Sequence, residues 1–490
     1  MANVFHFGAK GDGQTDDTDA LQHALDAGDG ILRLNKGTYR ITRPLLLNLP
    51  KQGYGGVRGE AGASRIVMAG PGPALRVVGD HQGSALPRSV EPHTWDKERF
   101  PVLTDCEIVG EHAEAVGIEL RKTIKCTVSR VLVRQCKYAI HLVERNRDFV
   151  LADSHLYDNR EIGLFFDRCN LHQIIVHGNH ISWNKVAGIK SLDGDVHNLQ
   201  IVGNDIEYNN LTSAIPGKPP GGDATWAQHH GGAEIWFQAT DGVISEVTIS
   251  GNTIQATVQN GGANIRVVGA ELRRPASAAA PSGGGKEGGA SGPQGDSAHL
   301  LAITGNVLGS QWRAVDLRHV SRVTMTGNTI YDSADLSIFA QNCSGIAIAA
   351  NTFGWRGSDS EPTKDGLRFV DCDNVVVSGL ATQRFCAGSP NHGAAISWER
   401  CRDSSLSDSQ ILDPLHRGVE LVDCVRCRVV NNTIVDRREQ KKMHHAIRVL
   451  GASRDNCIAG NLVGGAIDKE IVAEPTAGVV RDNQTVSGAS

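Results

Sequence analysis

The chain has 490 residues, a formal net charge of −5 and an isoelectric point near 6.4. This balance argues against a nucleic-acid partner, because such proteins usually carry a basic face. No apolar run approaches the ~20 residues that cross a bilayer, which argues against a membrane partner. The first residues, MANVFHFGAKGDG, show neither a charged n-region nor an apolar h-region. We therefore expect a cytoplasmic protein unless a leader has been removed.

The N-terminal stretch VFHFGAKGDGQTDDTDALQHALDAG predicts a strand, a Gly-Asp loop and a short amphipathic helix. Leu21 and Leu25 belong to its apolar stripe, spaced as one face of a helix requires. Asp16 and Asp17 precede the helix and are interpreted as capping acids rather than catalytic ones. The next segment, ILRLNKGTYRITRPLLL, predicts two strands around a Lys-Gly turn.

From about Gly117 to Val463 the sequence repeats a short alternating strand, a turn, a second strand and a corner of the type G-N-x-I. Adjacent corners lie roughly 22 to 29 residues apart, a period that marks solenoids. The asparagines at this corner are Asn179, Asn204, Asn252, Asn306, Asn328, Asn351, Asn432 and Asn461. Leu380 and Ser409 take the place of asparagine in two coils.

This repeat predicts an all-β fold, a parallel β-helix whose coils stack through sheet hydrogen bonds. Equivalent residues of successive coils should then lie about 4.8 Å apart, the spacing of strands in a sheet. Stacked asparagines at that spacing can hydrogen-bond along the column, as amide ladders do in cross-β structures. A leucine-rich repeat has a similar period, but its regular L-x-x-L-x-L-x-x-N frame is missing.

The repeat and its interruptions predict the division of the chain. Residues 1–80 form the N-terminal cap and first coils, residues 81–465 the β-helix, and residues 466–490 a C-terminal closing segment. Two insertions rich in Gly and Pro interrupt the β-helix at about residues 209–231 and 271–297. Function in repeat proteins collects where such insertions project, so the coils between them are where we expect the site.

The N-terminal segment resembles that of the pectate-lyase superfamily of right-handed parallel β-helix proteins, which includes polygalacturonases and phage tailspikes. The resemblance is carried by the runs GAKGDG at 8–13, TDDT at 15–18, AL at 20–21 and GTY at 37–39. It implies a right-handed β-helix with an N-terminal capping helix. It further implies an oligo- or polysaccharide substrate bound along an outward sheet, and it allows a homotrimer, since homotrimers occur in that superfamily.

In the strand GIELR the residues Ile118 and Leu120 point into the core, so Glu119 points outward. Carrying this register through the coils predicts two outward columns, and the two insertions flank their middle part. The first column contains Lys190, Glu234, Asn264 and Asp316, and the second contains Asp167, Trp236, Arg266 and Arg318. His319 follows the end of one of these strands, and His229 and His230 lie in the first insertion. We expect this group to bind and cleave a glycan.

The first functional hypothesis is a glycoside hydrolase that uses Glu234 and Asp316. Two coils separate these residues, so their Cα atoms should lie about 9 to 10 Å apart. Side chains at that distance can hold two carboxyls ~6.5 to 9.5 Å apart, the spacing of an inverting glycosidase. Trp236 would stack on a sugar, and the cationic side chains would meet acidic groups of the glycan. Asn264, Asp167 and the three histidines complete the predicted binding surface.

Two other hypotheses stay open. A polysaccharide lyase would use a cationic base such as Lys190, Arg266 or Arg318, and a non-catalytic module like a tailspike would only bind the glycan. The motifs N-T-D, D-D, G-H-G and R-I-K of polygalacturonases and D-P-H-D of alginate epimerases are missing from the repeat region. No cofactor is expected, apart from calcium if the protein is a lyase.

No metal site is predicted from the sequence. Asp193 and Asp195 lie in SLDGDVH, but the complete calcium-loop frame and its distal glutamate are absent. His177, His180 and His197 are interpreted as residues of surface turns.

Overall fold

The computed structural model describes residues 3–210, 232–255, 261–271, 297–354 and 364–486. Each coil contributes one strand to each of three sheets, here named A, B and C in the order in which a coil visits them, and the strand pairings described between coils are parallel. The predicted all-β, right-handed parallel β-helix is confirmed. Inward side chains are mainly Val, Ile, Leu and Phe, which form one continuous apolar core along the solenoid.

Sheet A carries the outward columns considered above. Its strands are Leu45–Asn48, Gly72–Val78, Ala115–Ile124, the first part of Tyr138–Ala152 and of Ile162–His177, Ala187–Leu192, Ala233–Ala239, Ala263–Gly269, the last part of Val307–Arg318 and of Thr329–Gln341, Leu367–Val370, Ile396–Glu399, Arg417–Val422, His445–Leu450 and Ile471–Ala473.

Sheets B and C complete each coil. Sheet B contains Ile31–Arg33, Gly56–Arg58, Val102–Thr104, Thr127–Ser129, the ends of the two long strands shared with sheet A, Asp195–Val202, Val243–Ser250, Ala298–Thr304, Ser321–Thr326, Ser344–Ala349, Asp373–Ser378, Ser405–Ser407, Arg428–Val430, Asn456–Ala459 and Gly478–Arg481. Sheet C contains Asp12–Asp16, Gly37–Ile41, Ser64–Met68, Glu107–Gly110, Leu132–Arg134, His155–Tyr157, His180–Ser182, Asp205–Glu207, Thr253–Gln255, the first part of Val307–Arg318 and of Thr329–Gln341, Thr352–Gly354, Ala381–Gln383, Gln410–Leu412, Thr433–Val435, Leu462–Gly464 and Gln484–Thr485.

Short helices accompany the strands. The described α-helices are Thr18–Ala27, Leu49–Gln52 and Pro92–Lys97, and the 3-10 helices are Val4–Phe7, Pro87–Ser89 and Pro475–Ala477. The first α-helix is the predicted N-terminal cap and buries Leu21 and Leu25 against the core. Asp16 accepts a hydrogen bond from the Thr18 N–H, and Asp17 accepts bonds from the preceding loop. Among the described residues, no helix is long and apolar enough to cross a membrane.

The predicted asparagine ladder lies at the corner between sheets B and C, and we call it the long ladder. In the coils from Asn179 to Asn351, each side-chain amide donates to the next Asn Oδ1 at 2.9 to 3.0 Å. The ladder is interrupted at Leu380, whose N–H instead bonds Ser409 Oγ. It resumes from Asn432 through Asn461 to Asn483. The prediction that these corners stack is confirmed.

Candidate active site

The outward face of sheet A carries one central column of polar and aromatic side chains, here named the site column. Strand pairing places Lys190 beside Trp236, Trp236 beside Arg266, Arg266 beside Asp316 and Asp316 beside Phe339. The structure thus brings together four of the predicted site residues, although Trp236 and Arg266 stand in this column and not in the neighbouring one.

Glu234 and Asn264 do not belong to the site column, and the prediction that they face outward is wrong. Both side chains are 0% exposed. The correct alignment is Gly-Ile-Lys, Glu-Ile-Trp, Asn-Ile-Arg and Ala-Val-Asp, which sets Glu234 level with Gly188. This position points into the corner between sheets C and A, because a Cβ on Gly188 would lie 2.9 Å from the amide nitrogen of Asn209.

Glu234 ends a second, shorter stack of buried amides at that corner, here named the short ladder. Asn159 donates to Asn184 and Asn184 to Asn209, at 2.7 and 2.6 Å. Asn209 then donates its backbone N–H and its amide to Glu234, the amide at 2.5 Å. Burial raises the pKa of Glu234 well above its ordinary value, against the opposing effect of the bonds from Asn209. We infer that this carboxyl group has a structural role.

Several buried polar atoms next to the short ladder have no hydrogen-bond partner among the described residues. Asn264 donates to the carbonyl oxygen of Ile254 at 3.0 Å, but its Oδ1 accepts nothing. Both amide atoms of Gln311 and the indole nitrogen of Trp236 are also unsatisfied. Such atoms are uncommon in native structures and call for a specific explanation. Trp236 belongs to the site column, and Asn264 lies two residues before Arg266 on the same strand.

Lys190 is buried on the outward face, with its Nζ 3.8 Å from the centre of the Trp236 ring. This ammonium group covers one face of the indole, and the Arg266 guanidinium carbon lies 5.7 Å from the same ring centre. Trp236 is only 8% exposed, so it is not the open stacking platform that the sequence suggested. Burial lowers the pKa of Lys190 to about 8, against the opposite pull of Glu161 and Asp167.

Asp316 is surrounded by three guanidinium groups. Its carboxylate lies 3.4 Å from Arg266, 3.5 Å from Arg313 and 3.1 Å from Arg318. Asp316 stands in the outward column as predicted, but it is only 1% exposed, because these guanidinium groups cover it. Burial lowers the pKa of Arg266, while the charge of Asp316 works in the opposite direction. Among the described residues, the cluster contains three guanidinium groups around one carboxylate, and guanidinium groups are suited to binding anionic ligands.

Asp167 lies on the coil before Lys190, outside the site column. It accepts a bond from Arg168 at 3.1 Å and contacts His141 Nε2 at 3.2 Å. The hydrogen bond with His141 lowers the pKa of Asp167. The His141 ring stacks on Phe165 at 5.3 Å between centres, and Phe165 is the neighbour of Lys190 in the site column. An acidic and aromatic patch therefore borders the cationic cluster on its N-terminal side.

A cleft of about 600 Å³ opens on the C-terminal side of the cluster along the same face. Asp335 at its rim bonds Arg313 at 2.8 Å, so the cleft and the cluster are continuous. Arg313 also lies over Phe339, 4.1 Å from the ring centre. Neither Arg313 nor this cleft was among the features predicted from the sequence. The alternation in QWRAVDLR could have indicated Arg313, whereas the cleft depends on separate loops.

The predicted histidines have different outcomes. His319 lies just past the strand end, half-buried, and burial lowers its pKa. His229 and His230 lie outside the described residues.

Comparison with known proteins gives two family matches. The family described as "Right handed beta helix region" matches residues 96–261 and 294–463. The family described as "Rhamnogalacturonase A/epimerase, pectate lyase-like" matches residues 1–59. Among curated proteins, the chain is similar to "Alginate lyase 7" of Azotobacter vinelandii, with 29% identity over 205 residues. The match spans 37% of this chain and 22% of the length of that protein.

Solved structures with similar folds share little sequence with this chain. The catalytic unit of an alpha-1,3-glucanase from Streptomyces thermodiastaticus is 15% identical, with a TM-score of 0.46 over 92% of this chain and 68% of that one. The A-module of a mannuronan C-5 epimerase from Azotobacter vinelandii is 14% identical, with a TM-score of 0.39 over 99% of both chains.

Proposed function

Because this chain belongs to the right-handed β-helix family, we propose that it binds an acidic polysaccharide along the site column and cleaves it by β-elimination. Lys190 is the proposed base. The observation that carries this proposal is the buried Lys190, with a pKa lowered to about 8, beside a cluster of three arginines. The similarity to an alginate lyase supports both a polysaccharide and an elimination reaction.

The first requirement of β-elimination is a base that can lose its proton near neutral pH. Lysine ordinarily keeps its proton there, and burial is the usual way to make it a base. In the proposed step the neutral Lys190 amine takes the proton from the carbon next to a uronate carboxylate. The bond to the glycosidic oxygen breaks, a carbon–carbon double bond forms, and water protonates the leaving oxygen.

The second requirement is neutralisation of the substrate carboxylate, because its negative charge opposes removal of the neighbouring proton. Arg266, Arg313 and Arg318 share the single carboxylate of Asp316 in the outward cluster. Arg313 has a second partner in Asp335. Among the described residues, three guanidinium groups thus meet two carboxylates, and guanidinium groups bind carboxylates in a bidentate manner. Positive side chains that already stand in place stabilise the developing charge without reorganisation.

The two-carboxylate hydrolase mechanism receives no support from Glu234 and Asp316. Glu234 points into the sheet C to sheet A corner and is held by Asn209 and Asn210. Asp316 is buried, and three guanidinium groups surround its carboxylate. Neither carboxyl group is placed to flank a glycosidic bond.

The test is a product assay on a panel of neutral and acidic polysaccharides. We expect products with the ultraviolet absorbance of unsaturated uronates from the wild type and from Lys469→Met, which removes an exposed lysine. Lys190→Met should lower the rate ~10² or more while the thermal unfolding profile stays unchanged. New reducing ends without that absorbance would favour a hydrolase, and binding without turnover would favour a glycan-binding module.

A further inference from the structure

On sheet B, away from the site column, two imidazoles and a carboxylate converge. Strand pairing sets His172 level with His197, and Asp195 lies two residues before His197 on the same strand. Ligand atoms of His172, Asp195 and His197 all lie within 4.8 Å of one another. Because both strands belong to the stacked solenoid, their backbones are fixed before any ligand binds.

The contacts within this group are incomplete. His197 Nε2 lies 2.7 Å from Asp195 Oδ1, and His172 Nε2 lies 4.0 Å from Asp195 Oδ2. The His172 Nε2 atom is buried and makes no hydrogen bond among the described residues. The two rings are 4.7 Å apart between centres. A cation placed among the three groups would bind this unsatisfied nitrogen, since zinc lies about 2.0 to 2.2 Å from imidazole nitrogen and carboxylate oxygen.

Neighbouring side chains hold two of these ligands in orientation. His197 Nδ1 lies 2.6 Å from Ser245 Oγ, which leaves Nε2 to face Asp195 and His172. Asn170 donates its amide to Asp195 Oδ2 at 2.5 Å. Partners of this kind fix the ring tautomer and the ligand direction in metal sites. Arg147, the neighbour of His172 on the preceding coil, is held by the Asn170 carbonyl oxygen.

A second group of the same composition provides a comparison. On sheet C, His155 pairs with His180 and His180 with Asp205, in a single column over three coils. The two histidine rings stack in parallel, 5.0 Å apart between centres, and both are exposed. His180 Nδ1 already contacts Asp205 at 3.2 Å. Composition is therefore equal in the two groups, while the arrangement on sheet B adds a buried, unsatisfied nitrogen and supporting hydrogen bonds.

We propose that His172, Asp195 and His197 bind one divalent transition-metal ion of the zinc class. Two imidazoles and one carboxylate suit such an ion better than calcium, which takes six to eight oxygen ligands. Three protein ligands also leave a coordination position for water. The ion would join two successive coils on the face that the proposed reaction does not use.

The test is a calorimetric titration of the full chain, freed of metal by a chelator, with Zn²⁺ and in parallel with Ca²⁺. We expect one equivalent of Zn²⁺ and a higher unfolding temperature in its presence, since a ligand stabilises the state that binds it. His172→Ala and Asp195→Asn should each weaken binding by roughly 100-fold, and Ser245→Ala by roughly tenfold. The double variant His155→Ala/His180→Ala is the matched control and should bind like the wild type.

Cobalt distinguishes this site from the cysteines, all of which are free in this structure. Co²⁺ bound by nitrogen and oxygen ligands should show no thiolate charge-transfer absorption. Thiolate absorption would overturn the proposal. So would Zn²⁺ affinity that His172→Ala and Asp195→Asn both leave unchanged, or preference for Ca²⁺.

Discussion

The two ladders of buried amides differ in a way that locates the candidate site. The long ladder, at the corner of sheets B and C, runs through successive coils with the same amide bond of about 3 Å. The short ladder, at the corner of sheets C and A, ends after three asparagines at Glu234. The coils that follow it contain the unsatisfied polar atoms of Asn264 and Gln311.

The end of the short ladder marks coils in which the repeated hydrogen-bond pattern of the solenoid is broken. Where every buried polar group of a repeat has a hydrogen-bond partner, stability alone explains the arrangement. Positions that break the repeat's pattern tend to occur at functional or strained sites. The long ladder lies at the corner of sheets B and C, whereas the site column lies on sheet A. The short ladder ends beneath Trp236 and Arg266, in the coils between the two predicted insertions. The short ladder thus stops in the coils that carry Trp236 and Arg266, whereas the long ladder continues through these coils.

The largest expected loss of stability follows from a substitution in the long ladder. Asn328→Ala removes an amide that bonds Ile303 and Asn351 and accepts from Asn306. Leaving these buried groups unpaired should lower the free energy of unfolding by about 3 kcal/mol. Denaturant titration measures the free energy of unfolding, and the variant Asn391→Ala, at an exposed position, is the control. A loss no larger than that of the control would show that the ladder does not stabilise the fold.

The second prediction concerns the proposed base. A base must be neutral to act, so kcat/KM should rise about tenfold per pH unit below the pKa of Lys190 and level off above it. That pKa is about 8. The measurement is the pH dependence of kcat/KM for wild type and for Lys190→Arg, which should stay inactive throughout. A wild-type profile that falls between neutral and weakly alkaline pH would contradict the assignment.

The third prediction concerns Glu234, where the short ladder ends. Its folded-state pKa is raised, so its contribution to stability is complete below the ordinary value of 4.5 and is lost as pH rises toward the raised pKa. The unfolding free energy should fall by up to about 1.4 kcal/mol per pH unit in that window. Glu234→Gln should remove this fall, whereas the exposed Glu439→Gln should retain it. Parallel stability curves for wild type and Glu234→Gln would mean that Glu234 is ionised in the folded protein.

The smallest expected loss of stability concerns Ser409, which lies in the long ladder at a position where other coils have asparagine. Ser409 replaces an asparagine and makes fewer bonds, accepting from Leu380 and donating to Ser407. Ser409→Ala should therefore lower the free energy of unfolding by only about 1 kcal/mol. The same titration compares it with Asn328→Ala. Equal losses at the two positions would indicate that cavity formation, and not amide bonding, determines the cost.

Much of the scaffold could be predicted from the sequence. The wrong placement of Glu234 and Asn264 on the outward face comes from a single error of strand alignment. The G-N-x-I corners predicted the coils and the stacking of their asparagines. The alignment of strands on sheet A then started from the glycine of GIELR and placed Glu234 level with Lys190, where the structure has Trp236, two residues further along the strand. The triplets Gly-Ile-Lys and Glu-Ile-Trp contain the correct register, with the shared isoleucine pointing into the core.

The amino-acid sequence alone determined the period of the solenoid, the inward apolar side chains and the asparagine corner. These features repeat coil after coil, and each coil makes the same contacts with its neighbours. Only the tertiary structure decided that Glu234 faces a buried corner and that His172 meets Asp195 and His197. Side-chain direction at a corner depends on the residues of the adjacent coils, such as Asn209 next to Glu234. The contact of Asn209 with Glu234 joins residues 25 positions apart, and His172 meets His197 only through the pairing of two coils.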